Sequence, residues 1–97
     1  MQLYVIQRRN GFRDAADLEA AAARSAAEGD KDGSGVRWIR SYVVSEDNGD
    51  LGTVCIYEGE SPETIRAHAQ RVGMPADEIT PVADTVIVRP DPVQVAA

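Results

Sequence analysis

Two runs rich in β-branched and aromatic residues, 36–45 and 53–58, flank Glu46-Asp47-Asn48-Gly49-Asp50, and this constrains the fold more than any other feature. Asn-Gly suits a two-residue type I′ turn because both central residues there need positive φ. The chain is thereby expected to carry an antiparallel hairpin at its middle. A plain two-residue turn pairs Asp47 with Asp50, Tyr42 with Cys55 and Arg40 with Tyr57. That register puts Trp38, Arg40, Tyr42, Cys55 and Tyr57 on one face, and Ile39, Ser41, Val43, Val54 and Ile56 on the other, because strand side chains alternate.

What flanks the hairpin sets the architecture. Residues 2–9 alternate and read as a first strand closed by Asn10-Gly11. Asp14 is placed to cap a helix, with Leu18, Ala21, Ala22 and Ser25 at helical spacing and an alanine-rich stretch to residue 28. Alanine has the highest intrinsic helix propensity and lets a helix pack close to what lies beneath it. Ser61-Pro62-Glu63 starts a second helix, which Gly73 and Pro75 end. Residues 79–89 form a last extended region, divided by Pro81 and Ala83-Asp84 into two short strands. The order β-α-β-β-α-β predicts an α+β ferredoxin-like sandwich with room for a fifth edge strand. The domain is expected over residues 1–90 and a flexible tail over 91–97. Both helices cover one sheet face, so the other face is expected to pair with a second copy in a homodimer.

Composition narrows function by exclusion. The net charge of −6 and pI near 4.6 argue against a nucleic-acid partner or an anionic membrane surface, both of which select basic patches. One cysteine allows no intramolecular disulfide. No apolar run approaches the roughly 20 residues of a membrane span. The start MQLYVIQRRNG has its basic residues after the apolar ones, the reverse of a secretory signal. A cytoplasmic protein is expected.

Chemistry concentrates on the single histidine, His68, and the single cysteine, Cys55. His68 falls at the edge of the stripe Ile65, Ala69, Val72 and leans toward the sheet. It reads as a buried hydrogen-bonded histidine, a metal ligand, or a pocket acid or base. Cys55 reads as a small buried hydrophobe or, with Arg40 as the only nearby cation, an activated thiol. If the face bearing Tyr42, Cys55 and Tyr57 lies under the helices, these residues and His68 line a small polar pocket, with Tyr42 and Tyr57 as its ligand-binding phenols. If that face is open, the same residues build a dimer interface rich in Trp, Tyr and Arg. The aliphatic look of the opposite face favours the interface.

Sharper motifs fail. Asp30-Lys31-Asp32-Gly33 has its glycine too early for a calcium loop, and Ser41 stands where the closing glutamate belongs. Gly33-Ser34-Gly35 precedes a strand, not a helix, so it makes no phosphate cradle. One His and one Cys cannot close a zinc site in a monomer, and no elbow motif supports a Ser/His/Asp triad. A mixed site survives, in which one imidazole is completed by carboxylates, waters or a second copy. It suits Ni(II), Cu(II) or Zn(II).

The segments Trp38-Ile39-Arg40-Ser41-Tyr42, Cys55-Ile56-Tyr57-Glu58 and His68-Ala69, in that order, together with Gly73-Met74-Pro75-Ala76, resemble a small family of bacterial ferredoxin-like proteins of unknown function. One member of that family is described as nickel-binding. The resemblance covers residues 2–82 and implies a dimeric ferredoxin-like domain that binds, or sequesters, nickel. His68 and Cys55 occupy matched positions and are the candidate metal ligands. The reading set first is therefore a non-enzymatic nickel-binding dimer. The alternative is a dimeric αβ-barrel-like enzyme or small-molecule binder with a His68/Tyr pocket.

Overall fold

The structure, a computed structural model, describes residues 1–93. Six elements follow in order: β1 (Gln2–Phe12), α1 (Ala15–Gly29), β2 (Val36–Ser45), β3 (Leu51–Gly59), α2 (Pro62–Val72) and β4 (Glu78–Pro81). They form one antiparallel sheet in the order β2-β3-β1-β4, the ferredoxin-like β-α-β-β-α-β arrangement expected from the sequence.

Local chemistry fixes both helices. The Asp14 carboxylate accepts from the Asp17 amide at 2.9 Å and caps α1. Ser61 caps α2 through the Thr64 amide at 3.1 Å, with Pro62 at the first helical position. Gly73, at φ 71°, ends α2 in the left-handed region. There its amide bonds Gln70 O at 3.2 Å and the Met74 amide bonds Ala69 O at 3.0 Å, the Schellman pattern.

The strands depart from the simple reading in three places. Asn10-Gly11 does not close β1; Asn10 takes φ 51° inside a bulge, and the strand resumes to pair Phe12 with Leu51. The hairpin loop is longer than two residues. Gly49 N–H donates to Glu46 O at 3.1 Å, the Glu46 amide bonds Asp50 O at 2.9 Å, and Gly49 takes φ 91°. This is a three-residue loop ending on a left-handed glycine, and it pairs Ser41 with Cys55 and Arg40 with Ile56. A bulge at Ile39 then adds a second one-residue shift, so Trp38 faces Tyr57. Finally, a single strand, β4, forms from the last extended region, and among the described residues no fifth edge strand does. The expected tail, 91–97, is described only to residue 93, and 94–97 lie outside the described residues.

The core sits between helices and sheet, where Tyr4, Ile6, Val36, Cys55, Tyr57 and Ile65 form its buried cluster. After β4 the chain turns back across the open sheet face. The Val82 amide bonds Leu3 O at 2.9 Å, and Asp91 accepts from Tyr42 Oη at 2.8 Å and Arg40 Nη1 at 3.2 Å. Between the two anchors Val86, Ile87 and Val88 stand out, 70–84% exposed. The strap and the face enclose a groove of about 820 Å³ lined by Leu3, Val5, Ile39, Tyr42 and Ile56 on the sheet side.

Candidate functional site

Cys55 and Tyr57 lie under the helices, at 3% and 1% exposure, so the face favoured as a dimer interface is instead the covered one. The shifted register explains what moved. Trp38 stays with Cys55 and Tyr57, Ser41 joins them, and Arg40 and Tyr42 turn to the open side. Tyr42 is 43% exposed and engaged with Asp91. The two phenols expected to share a pocket therefore face opposite sides of the sheet.

Beneath the helices the structure brings together His68, Tyr57 and Ser25. Ser25 Oγ lies 2.6 Å from Tyr57 Oη and 3.1 Å from His68 Nε2. The Tyr57 ring stacks on Trp38, centroids 5.9 Å apart and planes 6° from parallel, and it also meets the His68 ring, centroids 5.8 Å apart. Along the same face runs a second polar chain. Trp38 Nε1 donates to Ser41 Oγ at 2.8 Å, Ser41 to Cys55 Sγ at 3.0 Å, and Cys55 to Thr53 Oγ1 at 3.3 Å. Cys55 is thus a buried, hydrogen-bonded thiol. His68 and Cys55 share the covered face but belong to separate chains of hydrogen bonds. Ser25 joins both helices to the sheet; its spacing on α1 was visible, but nothing in the sequence marked it as the hub.

Burial dominates the electrostatics. It pushes the His68 pKa below its ordinary 6.5, and the charges of Arg71 and Arg8 push the same way against a smaller opposite pull from Glu28. Burial also raises the Tyr57 pKa, offset in part by its hydrogen bond with Ser25. His68 is thus neutral at pH 7. Because the unfolded chain takes up this proton more readily than the folded one, stability is intact above pH 6.5. It is lost as pH falls through that value toward the lower folded pKa. The expected result is a thermal midpoint that declines between pH 7 and 5, with a slope of at most about 1.4 kcal/mol per pH unit from this one group. A His68→Gln variant should show a flatter profile in the same melts, and an unchanged profile would clear His68 of the effect.

A cleft of about 450 Å³ opens beside this cluster between α1 and the sheet. Its walls include Phe12, Ser25, Trp38, Thr53, Cys55, Tyr57 and Met74. Among the described residues no three His, Cys, Asp or Glu side chains lie close enough together to hold a metal ion. His68 Nδ1 is buried without a partner, and above it, at the ends of the two helices, Glu28 Oε2 meets Arg71 Nε at 3.6 Å. Among the described residues no helix is long and apolar enough to cross a membrane.

A family model described as "Nickel responsive protein SCO4226-like" matches residues 4–82. Among solved structures the chain is similar to the crystal structure of SCO4226 from Streptomyces coelicolor A3(2). The two are 23% identical, with 87% of this chain and 99% of that chain covered, at a TM-score of 0.67. At that identity the likeness carries the fold alone. No curated protein matches the chain.

Proposed function

The chain belongs to the SCO4226-like family of nickel-responsive proteins, and from that premise we propose that it is a non-enzymatic, homodimeric protein that binds Ni(II) as cargo. His68 is the nitrogen donor of this reading and Cys55 the sulfur donor tested beside it. The observation that carries it is the unpartnered, buried Nδ1 of His68 at the seam between the helices. In the tautomer that carries its proton on Nε2 and donates it to Ser25, Nδ1 has a free lone pair for a metal. The imidazole is already neutral, as a metal ligand must be.

The donors of one copy do not form a ready-made site, since a mixed N/O nickel site of the tetragonal or octahedral kind takes several oxygens besides one imidazole. Glu28 is the carboxylate whose charge His68 feels. Its ion pair with Arg71 competes with any cation there, and water or a second copy supplies the rest. The open sheet face supports the dimer: Ile39, Tyr42 and Val44 are exposed along it, and Val86, Ile87 and Val88 beside it, an apolar patch that a second copy would bury.

Calorimetric titration with Ni(II), paired with sedimentation of the same samples, tests both parts. Wild type should bind and sediment as a dimer at micromolar concentration. His68→Gln should weaken binding roughly tenfold or more, and Cys55→Ser reports on the thiol separately. Absence of binding by wild type would remove the proposal, unchanged affinity in His68→Gln would remove His68 from it, and a monomer would remove the dimer.

A second reading, an αβ-barrel-like small-molecule binder or enzyme using His68 and Tyr57, is favoured by the cleft beside the Tyr57–Ser25–His68 chain. Ligand-dependent stabilisation without metal would mark it.

A further inference from the structure

The segment that follows β4 is an unfinished strand. Thr85-Val86-Ile87-Val88 is a run of four β-branched residues, the composition that suits a pleated and partly covered surface. Yet Val86, Ile87 and Val88 stand 84%, 70% and 78% exposed. Among the described residues no backbone–backbone hydrogen bond is made by 86–90 either. An exposed apolar segment with unpaired backbone groups is a template for another chain. The family match ends at residue 82, so the strap lies beyond the part that the family shares.

Two anchors show which surface the strap recognises. At its start the Val82 amide bonds Leu3 O at 2.9 Å, and Gln2 Nε2 bonds Val82 O at 2.8 Å. At its end the Asp91 carboxylate accepts from Tyr42 Oη and pairs with Arg40, an anion of the strap on a cation of the open face. Between the anchors the fit is poor. The strap arches over its own sheet and leaves a groove of about 820 Å³, so the apolar side chains of sheet and strap line a gap instead of meeting. Well-packed interiors and interface cores do not keep apolar space of that size.

We propose that two copies exchange their straps, residues 83–91 of each lying in the open-face groove of the other. Val86, Ile87 and Val88 then cover Leu3, Val5 and Ile56 of the second copy, and Asp91 bonds its Arg40 and Tyr42. The occupant is a second copy because this one chain carries both halves of the contact, strap and face, with matching charges. Exchange makes the contact twice about one two-fold axis, so the assembly closes as a dimer. Each anchor lost within a copy is regained between copies. A strap arriving from another copy is not tied to Leu3, so it can settle along the sheet. Ala83-Asp84, exposed and outside any element, is where the chain turns outward. The inference rests on the homodimer proposed above and adds what holds it together; nickel plays no part in it.

Sedimentation of the full-length, metal-free chain tests this. Wild type should be a dimer at micromolar concentration. The triple variant Val86→Ser, Ile87→Ser, Val88→Ser should self-associate roughly hundredfold more weakly. Its circular-dichroism spectrum should stay unchanged, since these side chains touch little of their own copy. Two single variants separate exchange from contact within one copy. Ile87→Glu and Val5→Lys should each be monomeric alone, and an equal mixture should form a heterodimer. The mixture restores one native strap–face contact and sets opposite charges together in the other. A triple variant that dimerises as tightly as wild type would overturn the exchange and leave the homodimer standing, whereas a monomeric wild type would remove both. Absence of a heterodimer on mixing would place the strap on its own copy and overturn the exchange. So would a triple variant that lost its secondary structure, since the strap would then be holding its own fold.

Discussion

Tyr57→Ala should lower the thermal midpoint by roughly 15–30 °C. Truncating a buried aromatic to alanine costs about 3–5 kcal/mol, and a domain of this size shifts by about 4–8 °C per kcal/mol. The position, on β3, touches β1, β2 and both helices. Its ring stacks on Trp38 of β2, meets His68 of α2 and lies under Arg8 of β1, and its hydroxyl reaches Ser25 of α1. Tyr57→Phe separates these roles. It keeps the ring and every stacking contact, and it leaves Ser25 bonded to His68 at 3.1 Å. Only one hydroxyl is lost, at about 1 kcal/mol and hence roughly 5 °C. Paired denaturant and thermal melts check this. If phenylalanine cost as much as alanine, the hydroxyl network and not the ring would hold the interior together.

Gly59→Ala should be the second most damaging of these changes. A Cβ on Gly59 would stand 2.6 Å from Ile65 Cδ1 and 2.8 Å from its Cγ1, and Ile65 is 1% exposed in the core. Neither atom has room to retreat, because interiors are packed to the density of crystals. Overpacking of this kind costs about 1–3 kcal/mol. The companion variant Ile65→Val removes the nearest of the two carbons at about 0.5–1.5 kcal/mol by itself. The double variant should therefore be more stable than the sum of the two losses, a coupling that a double-mutant cycle reads directly. Strict additivity would mean that α2 simply lifts off the sheet to make room.

The helices were legible because their signals are local. Asp14, Ser61, Pro62 and Gly73 act within a turn of their own position, and each does in the structure what its chemistry suggests. Strand pairing is not local. Asn48-Gly49 announces a hairpin, but the same pair serves a two-residue turn and a three-residue loop alike, and one residue of difference turns side chains over. Ile39 carries no mark of a bulge. Hence Tyr42 was misplaced while Trp38, Cys55 and Tyr57 were kept together. His68 was rightly expected to lean inward. Arg8, read as an ordinary strand residue near the end of β1, was missed altogether. An arginine at an inward position of an alternating strand, between Ile6 and Phe12, was the available signal.

The loop and the bulge at Ile39 bear on the descent of the chain. Each offsets the strand by one residue, and together they restore the phase in which Trp38 covers Tyr57. Only the stretch between them is inverted, and that inversion sends Ser41 inward to Cys55 and Arg40 and Tyr42 outward to the strap. Losing either irregularity alone would put the wrong half of β2 under the helices. The two should therefore be gained and lost as a pair among relatives, and an alignment that opens a single gap in this hairpin would join residues from opposite sides of the sheet.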